Sequence, residues 1–237
     1  MKVLIIPDVH LKPWIFDQAE DIMREKDFDR AVFIGDLVDD WDRQNDAGLY
    51  EETLKRAVEF AKNHPDMLWC YGNHDLAYLW DIYDHPGFSD DAKDIVCEYF
   101  NILEDTLESP ENIAILHRID NVLFSHAGLV KDFVDDYLDD IRDDIDAVID
   151  TVNGFDQNEL WDDISPVWAR PQYRNGFENM YPPEFFQVVG HTPVPWVLKQ
   201  GNLLTTDTFS TASDGRPIGT NEFSWVDTMT MEGGPIE

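Results

Sequence analysis

Five hydrophobic runs in this chain each end in residues able to hold a metal ion. They span residues 3–10, 31–40, 67–75, 122–128 and 187–193, and they deliver Asp8, His10, Asp36, Asn73, His126 and His191. Asp8 and His10 lie two apart, so in an extended segment both side chains point to one side and can reach one ion. Asp36 follows Gly35, where the backbone can turn, and its two carboxylate oxygens can bridge two ions. Asn73 offers an amide oxygen, and His126 and His191 offer imidazole nitrogens. Mixed nitrogen and oxygen donors suit manganese first, with iron, zinc or nickel as alternatives, and disfavour magnesium. The set contains no cysteine, which argues against a structural zinc site. Two ions about 3.5–4 Å apart would clamp a phosphate and bring a water's pKa down to about 7, so that hydroxide attacks phosphorus in line. His74, beside Asn73, is placed to protonate the leaving alkoxide, and Asp39, three residues after Asp36, to orient His74 and keep it charged. Such general-acid help is worth roughly 10²–10⁴ in rate. A lone histidine is ordinarily a packing or surface residue. Here four of seven, His10, His74, His126 and His191, sit at the ends of runs. His64 and His85 precede prolines and read as loop residues, and His117 ends a hairpin strand.

A short apolar run closed by Pro or Gly reads as a buried strand entering a loop. In open α/β sheets, ligands gather at strand ends. Strands over 3–6, 31–34 and 67–71 alternate with helices over 14–26, 50–63 and 90–107, which predicts a mainly parallel sheet. Hairpins over 113–117 with 122–124, and 196–199 with 203–206, followed by a strand at 223–226, predict a second, mostly antiparallel sheet. The expected fold is α/β, with two packed mixed β-sheets flanked by helices in one domain over 1–237, carrying an acidic helical insertion at about 131–186. In that insertion Val134, Leu138, Ile141, Ile145 and Val148 form one apolar helix face. Asp132, Asp135, Asp136, Asp139, Asp140, Asp143, Asp144 and Asp146 form a solvated one. A calcium loop fails there, because no Gly stands at the sixth loop position. The tail 231–237, with Gly233 and Gly234, is expected to be loose.

With 237 residues, 43% of them hydrophobic, the chain can bury a sizeable core. No stretch of about 18 apolar residues occurs, so no membrane span is expected, and the start reads as a strand rather than a signal peptide. Cys70 and Cys97 form no CxxC pattern and suit a reducing cytoplasm. A net charge of −32 repels polyanions, so nucleic acid and anionic membranes are disfavoured as partners and a salt-rich setting would suit the surface.

Asp8-Val9-His10, Gly35-Asp36-Leu37-Val38-Asp39, Gly72-Asn73-His74-Asp75, His126-Ala127-Gly128 and Gly190-His191-Thr192-Pro193 resemble, in order, the motifs of the calcineurin-like metallophosphoesterases. The resemblance spans residues 1–208. It implies one ion on Asp8, His10 and Asp36, a second on Asp36, Asn73, His126 and His191, and an acid at His74 partnered by Asp39. The HAG and GHTP forms look like the bacterial phosphoprotein phosphatase and dinucleoside tetraphosphatase branch. Trp168-Ala169-Arg170-Pro171 resembles that branch's W-x-R segment, whose Arg reaches the phosphate, and Thr206-Asp207-Thr208 resembles its D-T segment. Two departures matter. That branch usually has Arg-Gly where this chain has Asp40-Trp41, and Arg where it has Tyr71. Two phosphate-binding arginines are therefore missing, and one position became a carboxylate. Trp41 is a candidate platform for a base or aromatic group, with plain packing the equal alternative, and Arg43 is a candidate replacement charge. The nuclease GHxH ending is absent, with Pro193 in its place. The expected function is hydrolysis of a phosphate monoester, on a phosphoprotein or a small molecule. A nucleotide or dinucleoside polyphosphate is the alternative substrate. A non-catalytic scaffold would show broken ligands, and none of the six is broken.

Overall fold

The computed structural model describes residues 1–173 and 176–237; residues 174 and 175, within the expected insertion, lie outside them. The first half follows the alternation in the sequence: β1 (Lys2–Ile6), α1 (Trp14–Glu25), β2 (Arg30–Phe33), α2 (Ala47–Asn63) and β3 (Leu68–Cys70). Helix α2 begins earlier than its apolar periodicity suggests, because the Asp46 carboxylate accepts from the Leu49 amide at 3.2 Å and so caps an otherwise orphan donor. A short helix the pattern did not reveal, α3 (Asn73–Leu79), follows directly, and then α4 (Lys93–Thr106).

The expected first hairpin strand is divided between two sheets. Its start becomes β4 (Ile113–Ala114), parallel to β3, and its end becomes β5 (Leu116–Ile119), antiparallel to β6 (Val122–Ser125). The chain crosses at Ile115, and the His117 ring ties the sheets there by donating from Nε2 to the Trp69 carbonyl at 2.9 Å. His117 therefore sits inside β5, not at its end.

The insertion is not one continuous helix. It breaks into α5 (Lys131–Tyr137), a single tight turn at 139–141, α6 (Ile145–Asn153) and α7 (Gln157–Leu160). Asp144 caps α6 by accepting from the Ala147 amide at 3.2 Å. Val134, Leu138 and Val148 are buried, as their spacing implies, while Ile141 and Ile145 are only partly so. Arg142 reaches back to Asp135 at 2.7 Å and Asp139 at 3.0 Å, relieving the like-charge crowding of the acidic face.

β7 (Phe186–Val189), β8 (Leu198–Gln200), β9 (Leu203–Thr205), β10 (Ser224–Asp227) and β11 (Glu232–Pro235) complete the sheets. The first sheet has the order β11-β10-β1-β2-β3-β4 and the second β5-β6-β7-β9-β8. The second sheet is mixed rather than mostly antiparallel, because β6–β7 and β7–β9 are parallel. Parallel neighbours need a crossover connection, and the insertion between β6 and β7 supplies it. The tail is not loose either: β11 pairs antiparallel with β10 along the sheet edge.

The two sheets face each other through Val3, Ile5, Val32, Ile34, Phe124, Val188 and Leu204. The outer face of the first packs on α1, α2 and α4 through Phe16, Tyr50, Phe60 and Phe100. The outer face of the second packs on the insertion through Phe133, Val148 and Leu160. Two mixed β-sheets flanked by helices are the observed fold. Among the described residues no helix is long and apolar enough to cross a membrane.

Candidate active site

Strands β1, β2 and β3 run parallel in one sheet, and β6 and β7 run parallel in the other. Their C-terminal ends open on one cleft, and each of the five runs releases its polar residues there. The turns are tight. His10, Asp36, Asp39 and His191 all have positive φ, between 44° and 65°, a left-handed conformation that costs a non-glycine residue roughly 1–2 kcal/mol. Such strain persists where the surrounding structure over-determines it, commonly at active sites. Asp75 supplies part of that determination. It is fully buried and accepts from the backbone amides of Asp36, Leu37 and Gly72 at 2.9, 2.9 and 3.0 Å.

Asp36 lies at the centre. Its Oδ1 accepts from the His74 amide at 3.0 Å, which leaves Oδ2 facing His126 Nε2 at 3.1 Å and His10 Nε2 at 3.7 Å. Both imidazoles are pinned from behind. His126 Nδ1 donates to the Ile34 carbonyl at 2.9 Å and His10 Nδ1 to the Asp39 carbonyl at 2.9 Å. Each therefore presents Nε2 to the cleft as a lone pair. Asn73 Oδ1 stands 3.0 Å and His191 Nδ1 3.1 Å from His126 Nε2. Asp8 holds the His191 amide through Oδ2 at 2.9 Å. The six side chains converge as the run endings imply.

Electron-pair donors that meet this closely repel unless a cation lies among them. Two further observations say the same. Asp8 Oδ1 and His191 Nε2 are buried with no hydrogen-bond partner among the described residues, a costly condition for a polar atom. Burial, with the neighbouring charges of Asp207 and Asp36, pushes the Asp8 carboxyl well above the ordinary carboxylate range. Burial, with His126 and Arg170, pushes the His191 imidazole well below its ordinary value. The donor set fits divalent ions. Asp36, His10 and His74 form one compact cluster of such groups, and Asp36, His126 and His191 a second, with Asp36 common to both.

Asp39 is buried beside this centre. Its Oδ2 accepts from His74 Nδ1 at 2.9 Å, and its Oδ1 from the hydroxyls of Tyr50 and Tyr78, each at 2.6 Å. Burial alone would push the His74 imidazole down, but Asp36 and Asp39 more than offset it and bring it up to about 9. His74 Nδ1 is thus committed to Asp39.

A cavity of about 380 Å³ opens over these groups, walled by Trp41, Pro86, Trp168, Arg170, Pro193 and Ile218. A larger surface groove of about 1150 Å³ is lined by none of the six ligand candidates. Arg170 reaches the cavity while donating through Nη1 to the His191 carbonyl and Thr192 Oγ1, both at 3.3 Å. Trp41 is 55% exposed, with its indole N–H anchored on the Thr211 carbonyl at 2.9 Å. Asp40 lines the cavity with its carboxylate paired to Lys12 at 3.1 Å and to Thr211 Oγ1 at 2.8 Å, which offsets part of its charge there. Tyr71 turns away to Glu104, 2.9 Å from its hydroxyl.

The sequence profile described as calcineurin-like phosphoesterase matches residues 1–214. The chain belongs to the calcineurin-like phosphoesterase family. This phosphoesterase is accordingly a metal-dependent hydrolase. Among solved structures, a cold-active protein tyrosine phosphatase is 18% identical with a TM-score of 0.55, covering 100% of this chain and 78% of that one. A metallophosphoesterase from Sphaerobacter thermophilus is 14% identical with a TM-score of 0.52, covering 100% of this chain and 88% of that one. At such identities the likeness is one of fold. No curated protein matches the phosphoesterase.

Asp207, marked in the sequence by the Thr206-Asp207-Thr208 segment, is buried, held by the Ser210 hydroxyl at 2.9 Å and near enough to raise the Asp8 carboxyl. Other site residues were not evident from sequence alone. Tyr50 and Tyr78 give no signal there. His85, expected in a loop before Pro86, is buried against Asn73 and His74.

Proposed function

We propose that the phosphoesterase hydrolyses phosphate monoesters with two divalent ions, manganese first among them. One ion would sit on Asp8, His10 and Asp36 and the other on Asp36, Asn73, His126 and His191. The observation that carries this reading is the position of Asp36 Oδ2 between two histidine Nε2 lone pairs. Bound there, divalent ions supply Lewis acidity toward a phosphoryl oxygen and bring the pKa of water near neutral. The remaining work falls to the chain's own groups. Arg170 binds peripheral phosphate oxygens from the cavity wall, where a guanidinium can make paired charge-assisted bonds. Asp39, fixed by Tyr50 and Tyr78, holds His74 with its Nδ1 proton inward. His74 Nε2 then carries the proton that the leaving alkoxide needs.

The substrate is a phosphorylated small molecule or a phosphoprotein; the cold-active tyrosine phosphatase that shares the fold supports the latter. The exposed face of Trp41 on the cavity favours a second reading, a nucleotide or dinucleoside polyphosphate. The two unpaired thiols, Cys70 and Cys97, support a cytoplasmic setting. One experiment tests the proposal. Chelator-treated protein is titrated with Mn²⁺, bound metal is counted, and turnover is measured on p-nitrophenyl phosphate, its bis ester, diadenosine tetraphosphate and a phosphopeptide. Two ions per chain with monoester turnover are expected. Failure to bind any divalent ion removes the proposal, and preference for the tetraphosphate selects the second reading.

A further inference from the structure

His85 lies in the loop between α3 and α4, 7% exposed, with Nε2 3.0 Å from Asn73 Nδ2. An amide nitrogen donates and does not accept, so this Nε2 is the bare nitrogen of the ring. Asn73 is 2% exposed, and its amide fits the same space in two orientations. With the nitrogen on His85, Oδ1 faces His126 Nε2 at 3.0 Å, where it can serve a cation. Turned over, it would present –NH₂ to that point and could hold no cation. Among the described residues, His85 and His126 are the hydrogen-bond partners of this amide. With Nε2 bare, the ring N–H sits on Nδ1, which is buried with no partner among the described residues, so the bond to Asn73 is what ties this tautomer to this amide orientation.

The His85 ring is itself clamped. It meets His74 edge-on at 4.3 Å and 88°, and it packs on Trp161 and Trp168 of the insertion at 5.6 Å each. Asp39, His74 and His85 lie close enough to suggest a third ion site. That reading fails on donor counting: Asp39 is filled by two tyrosines and His74, and His85 Nε2 is filled by Asn73.

We propose that His85 is a positioning residue: by accepting from Asn73 Nδ2 it fixes the amide with its oxygen toward the ion site. The inference rests on the two-ion reading above. Ordering partners of this kind are typically worth about 10–100-fold in metal affinity.

Two measurements test it. In metal-free protein with ¹⁵N-labelled histidine, the His85 Nε2 resonance should be that of an unprotonated, accepting nitrogen; a proton on Nε2 overturns the assignment. In Mn²⁺ titrations followed by electron paramagnetic resonance, His85→Phe keeps the ring volume but not the acceptor. It should weaken one of two ions by about 10–100-fold and leave the other near wild type. His85→Gln, whose Oε1 can accept the same amide proton, should recover most of that loss. Two ions bound by His85→Phe as tightly as by wild type, or equal weakening in Phe and Gln variants, refutes the positioning role alone. Wild type that binds no ion refutes the two-ion reading and this inference with it.

Discussion

Gly190 comes closer to a candidate ligand than any side chain could. A Cβ built on it would lie 2.0 Å from Asp8 Oδ1 and 3.0 Å from Ile34 Cγ2, whereas real Cβ contacts essentially never fall under 3.0 Å. Gly190→Ala therefore demands about 1 Å of movement. Asp8 is 1% exposed, and its other oxygen is tied to the His191 amide. The Gly190 amide is bonded to the His126 carbonyl at 2.9 Å, so the backbone cannot yield without moving two more ligands. The strain should cost about 1–3 kcal/mol, lowering Tm by roughly 2–10 °C for a chain of this size. Displacement on this scale can cost about 10²-fold in rate. Metal counting should show one Mn²⁺ fewer per chain, and p-nitrophenyl phosphate turnover should fall about 10²-fold. Gly234→Ala is the control, since its Cβ would meet nothing within 4 Å; it should keep both ions and full activity. A Gly190→Ala protein that binds two ions and turns over normally would show that Asp8 holds no ion, and the reasoning from close approach would be wrong.

Three other outcomes are expected. His74→Asn should cut kcat for an alkyl phosphate about 10²–10⁴-fold while sparing p-nitrophenyl phosphate, whose leaving group hardly needs a proton; equal losses on both would remove the acid role. Arg170→Ala should forfeit a charge-assisted contact worth about 1.5–3 kcal/mol and raise the inhibition constant of inorganic phosphate roughly 10–100-fold, so an unchanged constant would place Arg170 outside phosphate binding. Burial holds the His117 imidazole down to about 4, against 6.5 when free. The unfolded chain therefore binds the proton first as the solution is acidified. The stability this contributes is whole above pH 6.5 and lost as pH falls toward 4, by about 3 kcal/mol. Urea melts of wild type and His117→Gln should differ in pH slope across that window, and parallel profiles would refute the assignment.

Short apolar runs closed by glycine or proline are local signals, and they were legible because burial of a strand and the turn that ends it depend on adjacent residues. The strands carrying Asp8, His10, Asp36, Asn73, His126 and His191 could be placed in this way. So could α1 and α2, whose apolar faces repeat with the helical period. The split of residues 113–119 between two sheets was not legible, because Ile115 carries no mark of the sheet on either side. The pairing of β11 with β10 was hidden for a similar reason: an edge strand can be held by backbone hydrogen bonds that any sequence supplies. The parallel pairing of β6 with β7 depends on where the insertion returns the chain.

The same division runs through the site. The chain's residue types and spacing determined which groups could bind metal, because ligand chemistry belongs to the side chain itself. Only the tertiary structure decided how those groups face one another. The two tyrosines on Asp39, the carboxylate of Asp75 behind three backbone amides, and the ring of His85 against Asn73 act across sequence separations of 3 to 39 residues. Hydrogen-bond partners are chosen by position in space, and spacing along the chain does not encode that position.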